Sequence, residues 1–213
     1  MKRILLCLAA ALLMVVTPVL AADTPNLSAP VAYGTPVLDG VANDAAWLSA
    51  SQLGAKVVVD QDNTGIMISN FPRVAYLTYD DENLYIGFII ATADSSKLVT
   101  NAGSFWNNDE VEVSVLAPGS SVYKITVIAD GIAYEASNKV DGLAAVGTTA
   151  TSCVIEMKMS FAKIGATPKA GDTWTIGING HQVADGDMWM TWNPTYGGFS
   201  NTARFGYITF LAK

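Results

Sequence analysis

Basic residues are scarce in this sequence of 213 residues. It holds 12 Lys and Arg against 19 Asp and Glu, which gives a formal net charge of -7 at neutral pH. Charged residues make up only 15% of the chain, against roughly a quarter in average soluble proteins. Nucleic-acid binding depends on clustered Lys and Arg, so the acidic balance argues against a nucleic-acid partner. The hydrophobic fraction of 51% excludes a disordered chain.

Cysteine and histidine are almost absent. The sequence contains only Cys7, Cys153 and His181 of these two types. A zinc site would therefore need mostly carboxylate ligands, and there is no C-x-x-C-H motif for haem attachment. Cys153 lies in an alternating apolar run, Ser152–Met157, which predicts a buried core thiol because free cysteine packs as a small hydrophobic residue.

The N-terminus contains an apolar run that is short for a membrane span, which needs about 20 residues. Lys2 and Arg3 precede the run Ile4–Val16, and Thr17–Ala21 follows as a break with small residues. This order is typical of a secretory signal peptide; an uncleaved anchor is the alternative. We expect residues 1–22 to be the signal peptide of an exported protein, periplasmic or secreted, with no membrane span after cleavage. Removal of Lys2 and Arg3 leaves 10 basic residues against 19 acidic ones, a charge of -9.

The rest of the chain consists of short runs rich in Val, Ile, Thr and Tyr, bounded by Gly, Asn, Asp and Pro. Such spacing favours an all-β, antiparallel sandwich. We predict strands at Lys56–Asp60, Val74–Tyr79, Leu84–Thr92, Glu110–Leu116, Val122–Ala129, Ile132–Ser137, Cys153–Ser160, Thr173–Gly180, Met188–Trp192 and Arg204–Phe210. Residues 23–35 are predicted to be an extended leader, and residues 36–213 a single domain. Two short helical segments are expected, Asn43–Ala50 with Asn43 as N-cap, and Phe161–Ile164.

Alternation along two predicted strands separates a core face from a polar face. In Glu110–Leu116 the valines share one face, whereas Glu110 and Glu112 share the other, and the same parity extended backwards reaches Trp106. In Thr173–Gly180 the apolar residues share one face. Asn179 lies on the opposite face, and His181 follows it on that face. Sugar rings stack their C–H faces on aromatic planes, and their hydroxyls need directional polar partners. A tryptophan beside carboxylates and an amide is therefore a candidate sugar site, although Trp106 could simply cap the edge of the sandwich.

Several segments resemble carbohydrate-binding module family 9, in that family's order and over nearly the whole mature chain. They are Leu38–Gly40 with Asn43–Trp47, Thr78–Phe88, Trp106–Val113, and Trp192–Pro194 with Phe205–Phe210. The resemblance implies a jelly-roll β-sandwich that acts as a non-catalytic carbohydrate-binding module and supports the recognition or breakdown of polysaccharides. It also implies an oligo- or polysaccharide partner, and a glycan-degrading enzyme system as a second partner.

The resemblance further implies the site residues. Two tryptophans, matched here by Trp106 and Trp192, would clamp a sugar ring. The polar contacts would come from Glu112 and Asn179, which match family positions, and from Glu110 and His181, which share their faces by alternation. Calcium is the expected cofactor, with Asp39, Asp44, Asp80 and Asp81 as oxygen ligands; turn and cap chemistry is the alternative role for these aspartates. The sequence departs from many relatives at His181, Ser200 and Thr202.

Other functions remain open from the sequence. Related sandwiches bind haem, for which His181, Met188 and Met190 are conceivable axial ligands. A glycoside hydrolase would need two carboxyl groups across a scissile bond. Glu110 and Glu112 are close enough along one strand, about 6.6 Å apart, but they point the same way. A structural role in the cell envelope is a further alternative.

Overall fold

The computed structural model describes residues 26–213. The predicted signal peptide lies outside the described residues. Within them the chain forms strands at β1 Ser28–Tyr33, β2 Lys56–Asp62, β3 Ile68–Tyr79, β4 Asn83–Ala91, β5 Glu110–Leu116, β6 Tyr123–Ile128, β7 Ala133–Glu135, β8 Asn138–Val140, β9 Ala144–Thr149, β10 Ser152–Ser160, β11 Thr173–Gln182, β12 Met188–Thr191 and β13 Gly206–Phe210. The helices are α1 Ala45–Gln52 and α2 Phe161–Ile164, and short 3-10 helices occupy Ser95–Lys97, Phe105–Asn107 and Thr202–Arg204.

The strands form a β-sandwich, as the sequence predicts. They pair in the order β8-β7-β6-β5-β11-β12-β2-β3-β4-β10-β9. The path folds back so that β5, β6 and β11 face β3, β4 and β10 across a shared apolar core. All pairs along the path are antiparallel. β11 has three neighbours, because β13 pairs with its first half and β12 with its second.

Alternating apolar residues build the core. Val111, Val113 and Val115 of β5 are fully buried, and Ile176 and Ile178 of β11 pack with them. The opposing layer contributes alternate residues of β3, β4 and β10 to the same cluster. Burial of such side chains contributes about 1.5–3 kcal/mol each. The predicted core faces of β5 and β11 are confirmed, which leaves the other faces of these strands pointing away from the sandwich interior.

The prediction of an extended leader is wrong for its second half. Ser28–Tyr33 forms β1, which pairs in parallel with β13 and with β3. Val31 and Ala32 are fully buried. The sequence analysis did not predict this strand because it contains Pro30, and proline argues against a strand except at edges and ends. The folded domain therefore begins before residue 36.

The predicted helices are present with small shifts in their bounds. α1 begins after Asp44, not Asn43, and the Asp44 side chain makes no capping bond to the helix. α2 matches the predicted turn and ends at Gly165, whose φ of 83° is left-handed. None of the helices in residues 26–213 has both the length and the apolar character needed to cross a membrane.

Candidate functional site

The outer surface of β6, β5, β11 and β12 carries a compact set of polar side chains. We call this set the polar face, and its members are Glu110, Glu112, Thr126, Asn179, His181 and Thr191. Strand register brings them together in two rows. In one row His181 lies beside Glu110. In the next row, Thr191, Asn179, Glu112 and Thr126 follow one another across four strands.

The polar face is buried although it lies outside the sandwich core. Glu110 is 3% exposed, Glu112 8% and Asn179 1%. Among the described residues, seven buried side-chain nitrogen or oxygen atoms have no hydrogen-bond partner, and five of them belong to this face. They are Glu110 Oε2, Glu112 Oε1, Thr126 Oγ1, Asn179 Nδ2 and Thr191 Oγ1. Because an unmet buried polar atom costs about 1–3 kcal/mol, this concentration makes the polar face the candidate binding site of the described residues.

Glu110 has an unusual protonation state. Burial away from water, together with the nearby Glu112 carboxylate, raises the pKa of Glu110 to about 8, against an opposing effect of the Arg73 guanidinium. Its carboxyl group is therefore mostly protonated at neutral pH. A protonated carboxyl group offers one O–H donor as well as acceptor lone pairs, which suits a neutral hydroxylated ligand better than a cation.

Glu112 is held by a single ion pair. Lys124 Nζ on β6 donates to Glu112 Oε2 at 3.1 Å, which leaves Oε1 as the unpartnered atom. The Lys124 side chain is 30% exposed and that of Glu112 10%. One carboxylate oxygen of Glu112 is therefore fixed by Lys124, and the other is buried without a hydrogen-bond partner.

His181 connects the polar face to two tryptophans. Its Nδ1 donates to the main-chain carbonyl oxygen of Trp106 at 2.8 Å, and its Nε2 lies 2.8 Å from Asp187 Oδ1. The imidazole ring stacks on the Trp189 indole, with centroids 3.8 Å apart and planes 9° from parallel. Trp106 and Trp189 therefore both lie at the border of the polar face, next to the same histidine.

Aromatic residues cover the polar face from two sides. The 3-10 helix that carries Phe105 and Trp106 reaches across the sheet, because Phe105 stacks on Tyr134 of β7 at 4.8 Å. On the other side, Phe205 lies over Gly177, where a side-chain Cβ would come within 2.8 Å of Phe205 Cε1. These rings exclude water from the polar atoms and strengthen any hydrogen bond made there.

A buried arginine from the opposite layer supports the same point. Arg73 of β3 is 1% exposed. Its guanidinium donates to the carbonyl oxygen of Glu110 and to that of His181, each at 2.7 Å. Arg73 therefore fixes β5 and β11 relative to each other where the first row of the polar face lies.

The structure places Trp192 differently from the sequence expectation. Trp192 is 5% exposed and belongs to the core cluster. Its ring lies against Gly206, where a Cβ would come within 2.3 Å of Trp192 Cζ3. The expected pair of exposed tryptophans at 106 and 192 therefore needs correction, since only Trp106, 49% exposed, faces solvent. Trp106 itself lies on the 3-10 helix and not on a regular extension of β5.

Trp189 is the second solvent-facing tryptophan near the polar face. It is 37% exposed and lines a cavity of about 320 Å³ together with Asn63, Gly197, Gly198 and Phe199. Phe199 meets Trp189 edge to face, with centroids 5.6 Å apart. The sequence analysis did not identify Trp189 or Phe199 as site residues, although alternation along β12 could have identified Trp189. Met188, Met190 and Trp192 share one parity, which is the core parity, and Trp189 has the opposite one.

The other predicted polar residues come together as expected. Register places Asn179 directly beside Glu112 and His181 beside Glu110. Thr126 and Thr191 complete the set but carry no distinctive motif, so only the pairing of strands distant in sequence reveals them. The loop at Phe199 likewise approaches the face only through the fold.

The four aspartates proposed for calcium have separate local roles. Asp39 and Asp44 accept from nearby main-chain N–H groups. Asp80 accepts from two N–H groups of its own turn, and Asp81 pairs with Lys213. In residues 26–213 no group of three or more His, Cys, Asp or Glu side chains is placed to hold a metal ion. The four aspartates therefore do not form such a group, and calcium binding stays a prediction of the sequence.

The haem alternative conflicts with the geometry of its proposed ligands. Both ring nitrogens of His181 already face oxygen acceptors. Met190 is fully buried in the core and Met188 packs against that core, whereas His181 lies on the outer face. The histidine and the methionines therefore do not face one pocket.

Comparison with known proteins supports the fold. The chain has the fold of carbohydrate-binding modules of family 9. A family 9 module from Caldicellulosiruptor kristjanssonii, solved with cellotriose, superposes with a TM-score of 0.67 at 14% identity, over 87% of this chain and 94% of that one. A family 9 module from the same organism, solved with glucose, gives a TM-score of 0.65 at 16% identity, over 87% and 96%.

A third solved structure agrees with these two. A protein from Bacteroides uniformis that was proposed to bind carbohydrate gives a TM-score of 0.64 at 14% identity, over 87% of this chain and 100% of that one. No family model matches the sequence, and no curated protein matches it. At these identities the likeness establishes the architecture, and the function has to be argued from the site.

Proposed function

We propose that this protein is a non-catalytic carbohydrate-binding module that holds a neutral sugar against the polar face. Trp106 and Trp189 would supply aromatic surface at the border, and Glu110, Glu112 and Asn179 would bind hydroxyl groups. The observation that carries the proposal is the concentration of unpartnered polar atoms on one face, next to two half-exposed tryptophans.

The chemistry of the face suits sugar hydroxyls. A hydroxyl group both donates and accepts. The unpartnered atoms include a carboxylate acceptor on Glu112, an amide donor on Asn179 and the threonine hydroxyls, and Glu110 is mostly neutral. A cluster that presents donors and acceptors with little net charge favours a neutral polyol over a phosphate or a metal ion. The solved structures of similar fold contain glucose and cellotriose, so glucose-based oligosaccharides are the first ligands to test.

The arrangement of the two glutamates supports binding over hydrolysis. Glycoside hydrolysis needs two carboxyl groups on opposite sides of a scissile bond. Glu110 and Glu112 project from the same side of one strand, in adjacent rows of the polar face. A sugar on this face would contact both from one side only, which positions neither group opposite the other.

We further propose that the protein is exported, periplasmic or secreted, on the strength of the signal-peptide pattern in residues 1–22. An exported binding domain without its own catalytic site would serve polysaccharide recognition or breakdown beside a glycan-degrading enzyme. A structural role in the envelope is the competing proposal. It requires no ligand at the polar face, and a binding assay separates the two.

A glycan array with the protein from residue 23 onwards tests the function. Wild-type protein should bind a neutral oligosaccharide, and Trp106→Ala and Trp189→Ala should each weaken that binding about tenfold or more. Tyr207→Ala is the matched control, because Tyr207 is 43% exposed and pairs with Thr175, about 13 Å along β11 from Asn179.

The outcomes of this assay are distinct. Equal losses for all three variants would indicate general damage to the sheet and contradict the assignment of the two tryptophans. Absence of binding to every glycan on the array would contradict the proposed function. Release of shorter sugars from a bound glycan, lost in Glu112→Gln, would show a hydrolase instead.

A further inference from the structure

His181 is the only histidine of the chain, and both of its ring nitrogens face hydrogen-bond acceptors. Nδ1 lies 2.8 Å from the main-chain carbonyl oxygen of Trp106, and Nε2 lies 2.8 Å from Asp187 Oδ1. A carbonyl or carboxylate oxygen can only accept, so each contact needs a proton on the nitrogen. A neutral imidazole ring carries one N–H group, whereas the imidazolium ring carries two. The geometry therefore fits the imidazolium form, in which both contacts are hydrogen bonds.

The surroundings of the ring compensate a positive charge. The His181 side chain is only 6% exposed, and a charge that is withdrawn from water needs partners inside the protein. Asp187 supplies a carboxylate. The Trp189 indole lies parallel to the ring with the centroids 3.8 Å apart, so the electron-rich face of the indole lies against the cation.

Asp187 contacts the ring because of an unusual backbone conformation. Its φ is 54°, in the left-handed region that residues other than glycine seldom adopt. Its N–H group donates to the carbonyl oxygen of Val183 at 3.3 Å, within the connection between β11 and β12. This conformation is strained, and strained residues cluster at functional sites. The connection therefore returns the Asp187 carboxylate to the histidine six residues earlier in the chain.

The other charged groups near His181 do not replace this carboxylate. Glu110 lies beside it on β5 and is mostly protonated at neutral pH. Arg73 donates to the His181 main-chain carbonyl oxygen, so its charge opposes that of the ring. Asp109 and Asp185 accept from main-chain N–H groups of other residues. The aspartate of the β11–β12 connection is therefore the one carboxylate in residues 26–213 that pairs with the ring.

Loss of one proton from the ring would break one of its two contacts. A hydrogen bond to a carboxylate is charge-assisted and about twice as strong as one to a neutral carbonyl oxygen, so the remaining proton stays on Nε2. The Nδ1 lone pair then faces the Trp106 carbonyl oxygen, and two acceptors repel each other. Trp106 lies on a 3-10 helix of only three residues. Loss of this bond would therefore loosen Trp106 at the border of the polar face.

We infer that His181 is a positioning residue of the sugar site, whose doubly protonated ring holds Trp106 and Trp189 together and whose neutral ring releases Trp106. The inference rests on the proposed function and extends it, because it makes sugar binding depend on pH. Histidine ordinarily changes its charge between pH 5 and 8. Sugar affinity accordingly falls as the pH rises and the ring loses its proton.

NMR of the untagged protein from residue 23 onwards, between pH 5 and pH 9, tests the inference. Long-range ¹H–¹⁵N spectra show which ring nitrogens are protonated, and the single histidine makes their assignment direct. We expect two protonated nitrogens at pH 5, loss of the Nδ1 proton as the pH rises, and a shift of the Trp106 indole signal with the same midpoint. Calorimetric titration with the best array ligand should show affinity falling at least about tenfold over the same step.

Asp187→Asn distinguishes this step from ionisation of Glu110, whose pKa is about 8. Asparagine tolerates the left-handed backbone, and the Asp187 side chain is 78% exposed, so the fold should be kept. Without the carboxylate the imidazolium is less stable, and the step should move to lower pH by about one unit. Asp81→Asn is the matched control, because Asp81 is 71% exposed and lies more than about 20 Å along β3 from Arg73. It should leave the step unchanged.

The results separate this inference from the proposed function. Sugar binding that does not follow the ring protons, or a step that stays at the same pH in Asp187→Asn, overturns the positioning role alone. A ring that keeps one protonation state from pH 5 to pH 9 does the same. His181→Gln should bind more weakly and without the step, and a step that persists in this variant would also overturn the role. No binding of any array glycan at any pH overturns the proposed function as well.

Discussion

At the scale of single residues, the polar face differs from the rest of the molecule because its polar atoms are buried and unmatched. Most buried polar groups in folded proteins have hydrogen-bond partners. Glu110, Glu112 and Asn179 each keep an atom without one, in adjacent rows of the sheet. Such atoms reduce stability unless water or a ligand supplies the missing bonds, and the proposed function assigns that part to a ligand.

The raised pKa of Glu110 should make the free energy of unfolding depend on pH. Its pKa is about 8 in the folded state against an ordinary value of 4.5, so the folded protein binds more protons than the unfolded chain between these values. The free energy of unfolding should therefore fall as pH rises from about 5 to 8, by at most about 1.4 kcal/mol per pH unit from this group. Urea unfolding of wild type and Glu110→Gln at pH 5, 6.5 and 8 measures the difference. Parallel pH profiles for the two proteins would show that Glu110 ionises normally.

Substitution of Trp192 should mainly reduce stability, whereas substitution of Trp189 should mainly reduce sugar binding. Trp192→Ala should lower the free energy of unfolding by about 3–5 kcal/mol, because it empties a buried site. Trp189→Ala should cost only about 1 kcal/mol, from loss of the stack on His181, but should weaken sugar binding. Chemical unfolding and calorimetric titration of both variants make the comparison. Similar stability losses would contradict the assignment of Trp192 to the core and Trp189 to the surface.

At the scale of elements, the site depends on how three strands are held together. Arg73 reaches from β3 to the main chain of β5 and β11. The guanidinium passes so close to Gly180 that a Cβ there would lie 1.8 Å from Nη1 and 2.4 Å from the Glu110 carbonyl oxygen. Glycine at 180 is therefore a requirement of this crossing.

Gly180→Ala should destabilise the protein by at least about 2 kcal/mol, because either the arginine or the strand pair must move. Gly198→Ala is the control, since a Cβ at residue 198 meets no atom within 4 Å. It should change stability by less than about 1 kcal/mol. Thermal unfolding of both variants is sufficient, and equal melting temperatures would show that the crossing tolerates a side chain.

β1 should prove essential to the domain. Its pairing with β13 and β3 joins the layer that carries the polar face to the opposite layer. A chain beginning at Pro36 lacks β1 and should melt at a much lower temperature than one beginning at Asn26, or fail to fold. Circular dichroism during heating compares the two. Equal melting temperatures would restore the view that residues 23–35 are only a leader.

At the scale of the whole molecule, alternation in the sequence predicts the sandwich and the facing of β5 and β11, since the period of two separates Val113 from Glu112. It could not reveal β1, whose Pro30 resembles a loop, or the approach of Thr126 and Phe199, which depends on long-range pairing. Trp192 shows a different failure. The family motif at Trp192–Pro194 predicted an exposed tryptophan, whereas alternation along β12 places Trp192 on the same core face as Met190.

The central claim is that a sugar binds at the polar face between Trp106 and Trp189. The most direct measurement is an NMR titration that follows the indole N–H signals of the five tryptophans as cellotriose, or the best array ligand, is added. The account predicts that the signals of Trp106 and Trp189 move on binding, and that those of the buried Trp47, Trp174 and Trp192 move far less. Saturable binding that leaves Trp106 and Trp189 unmoved would contradict it.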